Sequence, residues 1–252
     1  MRTTAVLNLK GGVAKTTTVV NLAAILARIH GKRVLVIDAD SQANSTEFFG
    51  GVPDAADTLS DMLRGQCKSE VNHSSNFNGV DLLGADDSLM DLDLSKVEGK
   101  QVDVLCLRTR LAELKDRYDF VLIDCPPAFN AASAAALLAA DDVLIPMKLD
   151  GFSIRGMANL MRQIQNMRKL NPKLNLAGLL PTMLVKDDTI ADALEQLQRS
   201  KLHVFSPIRF QQRGKVDKMT FCQSPLIFSS PHCAACQDYK RFALEYMKGG
   251  KL

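Results

Sequence analysis

An α/β fold, with a mostly parallel sheet covered by helices on both faces, is the architecture that this 252-residue sequence predicts. Three observations predict it. Short apolar runs alternate with longer helical patterns along the chain, as βαβ units require. Two of those runs, residues 33–38 and 120–124, are nearly continuously apolar and end in Asp, the pattern of strands buried on both faces. The first apolar run leads into a glycine-bearing loop that opens a helix, the context in which such a loop binds phosphate.

Each element follows from its residues. Residues 4–7 are the first strand. Residues 17–30 place Val20, Ala23, Ala24 and Ala27 on one helical face, and Gly31 supplies the stop. Residues 33–38 form the next strand; residues 44–64 read as loop and short helix, broken by Gly50, Gly51 and Pro53. Residues 80–83 suggest another strand, and 88–99 are acidic and irregular. An amphipathic helix is expected over 102–117, a strand over 120–124, and an alanine-rich helix over 131–140. A strand at 143–147, a helix at 153–170, a strand at 174–183 and a helix at 189–201 continue the alternation. Residues 203–210 read as the last strand and 234–247 as the last helix. Crossovers in such a sheet are right-handed, and ligands collect at the carboxyl ends of the strands. Without an internal repeat, linker or low-complexity tract, residues 1–252 are expected to form one domain.

Composition narrows the function classes. Tryptophan is absent and aromatics make up 6%, so small aliphatic side chains must build the core, which suits close helix-on-sheet packing. A net charge of +3 is too small to announce a nucleic-acid partner unless the charge is clustered. No apolar run reaches membrane-spanning length and the N-terminus lacks a signal-peptide pattern, so a cytoplasmic protein is expected. The six cysteines, at 67, 106, 125, 222, 233 and 236, are then expected as buried thiols rather than disulfides.

The chemistry gathers at Leu9-Lys-Gly-Gly-Val-Ala-Lys-Thr-Thr-Thr18. Gly11 and Gly12 lack Cβ, so the chain can curl tightly and aim its N–H groups inward. The helix that starts beneath adds unpaired N–H groups and the positive end of its dipole. Lys15 brings a full positive charge for the β- and γ-phosphates, and Thr16 a hydroxyl for Mg²⁺. Val34-Leu-Val-Ile-Asp38 and Phe120-Val-Leu-Ile-Asp124 place two carboxylates at the sheet edge where the loop opens, where they can hold Mg²⁺ directly or through water. Lys10 is one lysine more than a phosphate loop needs.

Lys10-Gly-Gly-Val-Ala-Lys-Thr-Thr17 resembles the deviant Walker A motif of the ParA/MinD/Soj family of P-loop ATPases. Asp38-Ala-Asp40-Ser-Gln-Ala-Asn44 is similar to the family's Asp-x-Asp-Pro-Gln-Gly-Asn segment, with Ser41 and Ala43 substituted. Asp124-Cys-Pro-Pro127, Ala140-Asp-Asp-Val-Leu-Ile-Pro146 and residues 178–183 look like further family segments. The resemblance implies ATP and Mg²⁺ as cofactors, with nucleotide held by Gly11, Gly12, Val13, Ala14, Lys15, Thr16 and Thr17, and metal by Thr16, Asp38 and Asp124. It implies Lys10, Lys15 and Asp40 as catalytic residues: Lys10 reaches a partner's nucleotide across a dimer, and Asp40 positions the attacking water. Two departures stand out. The family usually has Gly where this chain has Ala14, which is tolerable if that position keeps a negative φ and strained if it does not. The Ile-Pro-Arg-Asn-like run of the adenine pocket is replaced by Ile208-Arg-Phe-Gln-Gln-Arg213, so no adenine contact is assigned.

Other signals point elsewhere more weakly. His232-Cys-Ala-Ala-Cys236 invites a zinc or redox reading, but Cys222 is the only nearby further ligand, and a thioredoxin-like pair would open a helix after a strand. It reads as a helix start with small buried residues. An iron–sulfur role is disfavoured because Cys125 directly follows Asp124. Lys240, Arg241, Lys248 and Lys251 with Phe242, Tyr246 and Met247 could suggest a membrane-docking helix, but the apolar stripe reads as a face packed on the sheet, and no stable membrane association is expected. Arg199, Lys201, Arg209, Arg213, Lys215 and Lys218 stand against Asp217 alone, a local basic excess suited to sequence-indifferent DNA binding. The resemblance therefore implies a weak, DNA- and partner-stimulated ATP hydrolase. It would dimerise on ATP, associate with the nucleoid, answer to a ParB-like protein, and segregate a plasmid, chromosome or mobile element. A MinD-like or cargo-positioning ATPase on a membrane or protein scaffold is the alternative, and an ATP-using small-molecule synthetase the third reading.

Overall fold

In the computed structural model the described residues are 1–52, 57–67, 73–92 and 102–249. Pro53, the acidic stretch beyond residue 92 and Lys251 fall outside them. The strands are β1 Arg2–Val6, β2 Val34–Asp38, β3 His73–Ser74, β4 Val80–Leu83, β5 Phe120–Asp124, β6 Asp142–Lys148 and β7 Asn175–Thr182. They form one sheet in the order β3-β4-β2-β5-β1-β6-β7, parallel except where short β3 runs against β4. The helices are α1 Lys15–His30, α2 Asn44–Phe48, α3 Leu59–Leu63, α4 Cys106–Glu113, α5 Ala131–Ala139, α6 Gly151–Arg168, α7 Asp188–Gln198, α8 Arg213–Phe221, α9 Leu226–Ser229 and α10 Ala234–Met247.

The period of two along each strand divides the core into two faces. Leu35, Ile37, Val121, Ile123, Val143 and Ile145 pack with α3, α4 and α5. Val34, Val36, Leu122 and Leu144 pack with α1 and α10. Tyr239, Phe242 and Tyr246 of α10 are fully buried there, so the apolar stripe near the C-terminus lies on the sheet. Two hydroxyl pairs fix that helix: Tyr246 with Thr4 at 2.7 Å and Tyr239 with Thr18 at 3.2 Å.

Several expected elements are corrected. Residues 203–210 form two isolated parallel bridges to the β7 side, Leu179 with Val204 and Leu184 with Arg209, instead of a strand. Pro207 has no N–H to donate, and β7 bulges between its pairings with Val143 and Leu144. Gly178 lies at that bulge with φ +152°, where a Cβ would come within 2.7 Å of the His203 ring. The helix expected over 102–117 is reduced to α4, because the Asp103 carboxylate accepts the Leu105 N–H at 2.8 Å and residues 114–117 close turns. Among the described residues of 44–64 lie the short helices α2 and α3, and α8 and α9 were not expected at all.

Candidate functional site

The sheet order brings the site together. The chain leaves β1, crosses to β2 and leaves a place between them that β5 fills, so Val6, Asp124 and Asp38 end three adjacent strands in register. This is the crevice at the carboxyl ends where an open α/β sheet binds its ligand. The loop after β1 is pinned from the far side: Thr182 of β7 donates its hydroxyl to the Val13 carbonyl at 3.0 Å, and Val13 is buried. Asn8 donates to the Pro146 carbonyl at 2.8 Å and accepts the Lys10 N–H at 3.0 Å.

Ala14 is the N-cap of α1, and no side chain caps the helix. The first-turn N–H groups therefore remain available to an anion. Ala14 has φ +65° and ψ 34°, the strained outcome for a residue with a Cβ. Ala43, also standing where the resemblance has glycine, has φ +51°. Lys15 is buried, and desolvation holds its ammonium pKa below the ordinary range even though Asp124 pulls it the other way. Its Nζ donates to the Lys10 carbonyl at 3.3 Å.

Asp38 and Asp124 are buried side by side. Burial raises both carboxyl pKa values, and the Asp124 charge adds to the rise at Asp38. Asp38 accepts the Thr46 N–H and hydroxyl, each at 2.8 Å, and the Asp40 N–H at 3.1 Å. Asp124 accepts the Ser45 hydroxyl at 2.7 Å through Oδ2, while among the described residues its buried Oδ1 has no hydrogen-bond partner. An orphaned carboxylate oxygen beside Thr16 and Lys15 fits a hard divalent cation, which takes oxygen ligands. Asp38 is already committed to the start of α2. Asp40 lines the cleft from a turn in which its Oδ1 accepts the Gln42 N–H at 3.1 Å.

A cleft of about 400 Å³ opens over the loop, bounded by Gly11, Gly12, Ala14, Lys15, Thr16, Thr17 and Asp40 on one side. Its other wall is Phe210, Arg213, Val216, Asp217 and Thr220, from α8 and the turn before it, with Pro127 and Met183 between. The sequence reading missed this wall. The signal that could have found it is an apolar pair, Val216 and Met219, in a helical stretch after the last expected strand. Ser45 and Thr46, which hold the carboxylates, were missed as well, and so was Asp150. Lys10 Nζ donates to both oxygens of Asp150, at 2.9 and 2.7 Å, and among the described residues Lys10 is not part of its own cleft's lining.

The basic residues divide. Arg209 lies beside β7 and donates through its N–H, Nε and a terminal nitrogen to Asp238 at 2.8–2.9 Å, so its guanidinium anchors α10. Arg213 borders the cleft, with Nε 3.9 Å from Asp217. Arg199 pairs with Glu195 at 2.5 Å. Lys201, Lys215 and Lys218 are exposed. Cys125 is buried with its thiol pKa raised by desolvation. No described helix is long and apolar enough to cross a membrane.

Comparison with known proteins agrees with this geometry. The AAA domain family matches residues 1–176. The chromosome partitioning protein ParA of Caulobacter vibrioides is 32% identical over 254 residues, covering 97% of this chain and 93% of that one. The chromosome-partitioning ATPase Soj of Treponema pallidum is 31% identical over 251 residues, covering 97% and 96%. Among solved structures, cobyrinic acid a,c-diamide synthase of Mycobacterium smegmatis, with bound ADP and magnesium, superposes with a TM-score of 0.80 at 30% identity, covering 100% of this chain and 97% of that one. A phosphate loop with two lysines, paired strand-end aspartates and full-length likeness to ParA and Soj lead to one conclusion: the chain belongs to the ParA/Soj/MinD family of P-loop ATPases.

Proposed function

We propose that the protein is a partition ATPase whose ATP- and Mg²⁺-bound form is a sandwich dimer that holds DNA without regard to sequence. A ParB-like partner and DNA stimulate its otherwise weak hydrolysis, which releases the DNA. The observation that carries this reading is Lys10, an ammonium 36% exposed and directed to Asp150 rather than into its own cleft. In the proposed site Lys15 and the α1 amides bind the β- and γ-phosphates. Thr16 and Asp124 hold Mg²⁺, with Asp38 supporting them, and Asp40 orients water. When bound, Mg²⁺ neutralises charge on the phosphates. Phe210 and the apolar side of α8 face the base.

The proposed DNA surface is Arg199, Lys201, Arg213, Lys215 and Lys218, doubled by dimerisation so that two weak patches engage one duplex. Arg209 contributes by placing this segment, because charge reversal there would set a second carboxylate against buried Asp238. The test is gel filtration with ATP or ADP, with and without DNA. The parent should dimerise and retain DNA with ATP alone, and Lys10→Ala should lose the dimer. Asp40→Ala should keep the dimer and lose about 100-fold or more in turnover. Lys215→Glu with Lys218→Glu should keep the dimer and lose DNA. A monomer in ATP, or DNA retention indifferent to nucleotide, would defeat the reading.

A further inference from the structure

The nucleotide site makes no use of Cys233 and Cys236. Cys233 is the N-cap residue of α10 and Cys236 lies three residues on, in the first turn. The Cys236 N–H donates to Cys233 Sγ at 3.4 Å, so the sulfur takes the place usually held by a capping oxygen. The two thiols differ in access. Cys233 keeps 7% of its surface and is flanked by exposed His232, whereas Cys236 is 0% exposed. Burial also pushes the Cys236 thiol up to about 11. A thiol that keeps a small part of its surface, followed after two residues by a fully buried one, is the order of an attacking and a resolving cysteine. The pair opens a helix, as such a role requires, although α9 and a turn precede it instead of a strand.

We propose that Cys233 and Cys236 form a redox-active dithiol that exchanges with low-molecular-weight disulfides. The Cys233 thiolate attacks one sulfur of a disulfide RSSR, forms a Cys233–SR bond and expels RS⁻, which takes up the proton that Cys233 lost. Cys236 then attacks Cys233 Sγ, the Cys233–SR bond breaks, and the second RS⁻ leaves with the Cys236 proton. Two thiols have lost two electrons and two protons, and one RSSR has become two RSH. Cys125 takes no part, because it is fully buried with its thiol directed to the Ile123 carbonyl.

The test equilibrates the reduced full chain with glutathione and its disulfide over a range of ratios. An acid quench, alkylation of free thiols and peptide mapping by mass spectrometry follow. The expected result is a peptide that spans Cys233 and Cys236, has lost two hydrogens, and rises along a single two-electron curve while Cys125 stays alkylatable. Cys236→Ser should stop the reaction at a glutathione adduct on Cys233, and Cys233→Ser should leave Cys236 reduced. The proposal is overturned if both thiols stay reduced under native conditions in which exposed Cys222 takes up glutathione. It is equally overturned if either thiol bridges to Cys222, or if the bridge forms only after denaturation. The parent measurement decides the matter even if a variant does not fold.

Discussion

Ala14 concentrates the local cost of the site. An L-residue in the left-handed region is destabilised by roughly 1–2 kcal/mol, and glycine at that position gives back about 0.5–1 kcal/mol through the entropy of the unfolded chain. Ala14→Gly should therefore stabilise the protein by up to about 1 kcal/mol, equivalent to roughly 2–4 °C for a chain of this size. Thermal melts of both proteins without nucleotide check this, and a lower melting temperature in the variant would contradict it. Lys15→Ala removes a buried cation from the cleft. Charged hydrogen bonds of this kind contribute about 1.5–3 kcal/mol each, so ATP affinity should fall by about 100-fold as read by titration calorimetry. The place of Lys15 at the start of α1 and in the cleft was legible in the sequence, because a glycine-bearing loop between a strand and a helix fixes it there. The left-handed Ala14 was legible only as a condition, since φ is a property of the loop's closure and not of the residue.

At the scale of elements, α2 acts as a clamp. Its first turn brings Ser45 to Asp124 and Thr46 to Asp38, so a five-residue helix orients both strand-end carboxylates. Groups that orient metal ligands typically carry 10–100-fold in metal affinity. Ser45→Ala should accordingly weaken Mg²⁺ binding in the presence of ADP by at least about tenfold, with ADP affinity in EDTA unchanged; equal losses in both conditions would show a folding defect instead. The parallel strands, α1, α5 and α10 were readable because a buried parallel sheet imposes continuous apolar runs and long periodic helices, whereas the two-residue antiparallel β3 was not expected. The segment 203–210 misled because its residues are strand-like while Pro207 and the bulge at Gly178 deny it a ladder. The far wall of the cleft was illegible for a related reason. Its helix α8 buries only Val216 and Met219, too few positions to show a period.

For the whole molecule, the buried pair Asp38 and Asp124 sets a pH dependence. Both carboxyls ionise at higher pH in the folded protein than in the unfolded chain. Above about pH 4 the unfolded chain gives up protons that the folded pair retains, so this contribution is full in acid and is lost as pH rises through the folded values near neutrality. Asp86 and Asp119 are lowered and act in the opposite direction, so the readout is the difference between the parent and Asp124→Asn. In EDTA the variant should gain on the parent between pH 5 and 7.5 in thermal melts, and Mg²⁺ with ADP should restore the parent; parallel curves would contradict the linkage. The contact between Lys10 and Asp150 has a consequence for assembly. If Lys10 leaves one anion in its own chain to meet another on the partner's nucleotide, dimerisation exchanges counter-ions of like sign and creates almost no new charge pairing. Added salt then weakens both sides of the equilibrium together. The ATP-driven dimer should change by no more than a few-fold in dissociation constant between low and moderate KCl in sedimentation equilibrium, under conditions where DNA retention collapses. Assembly and cargo release would thus answer to different variables, the one to nucleotide and the other to the ionic surroundings.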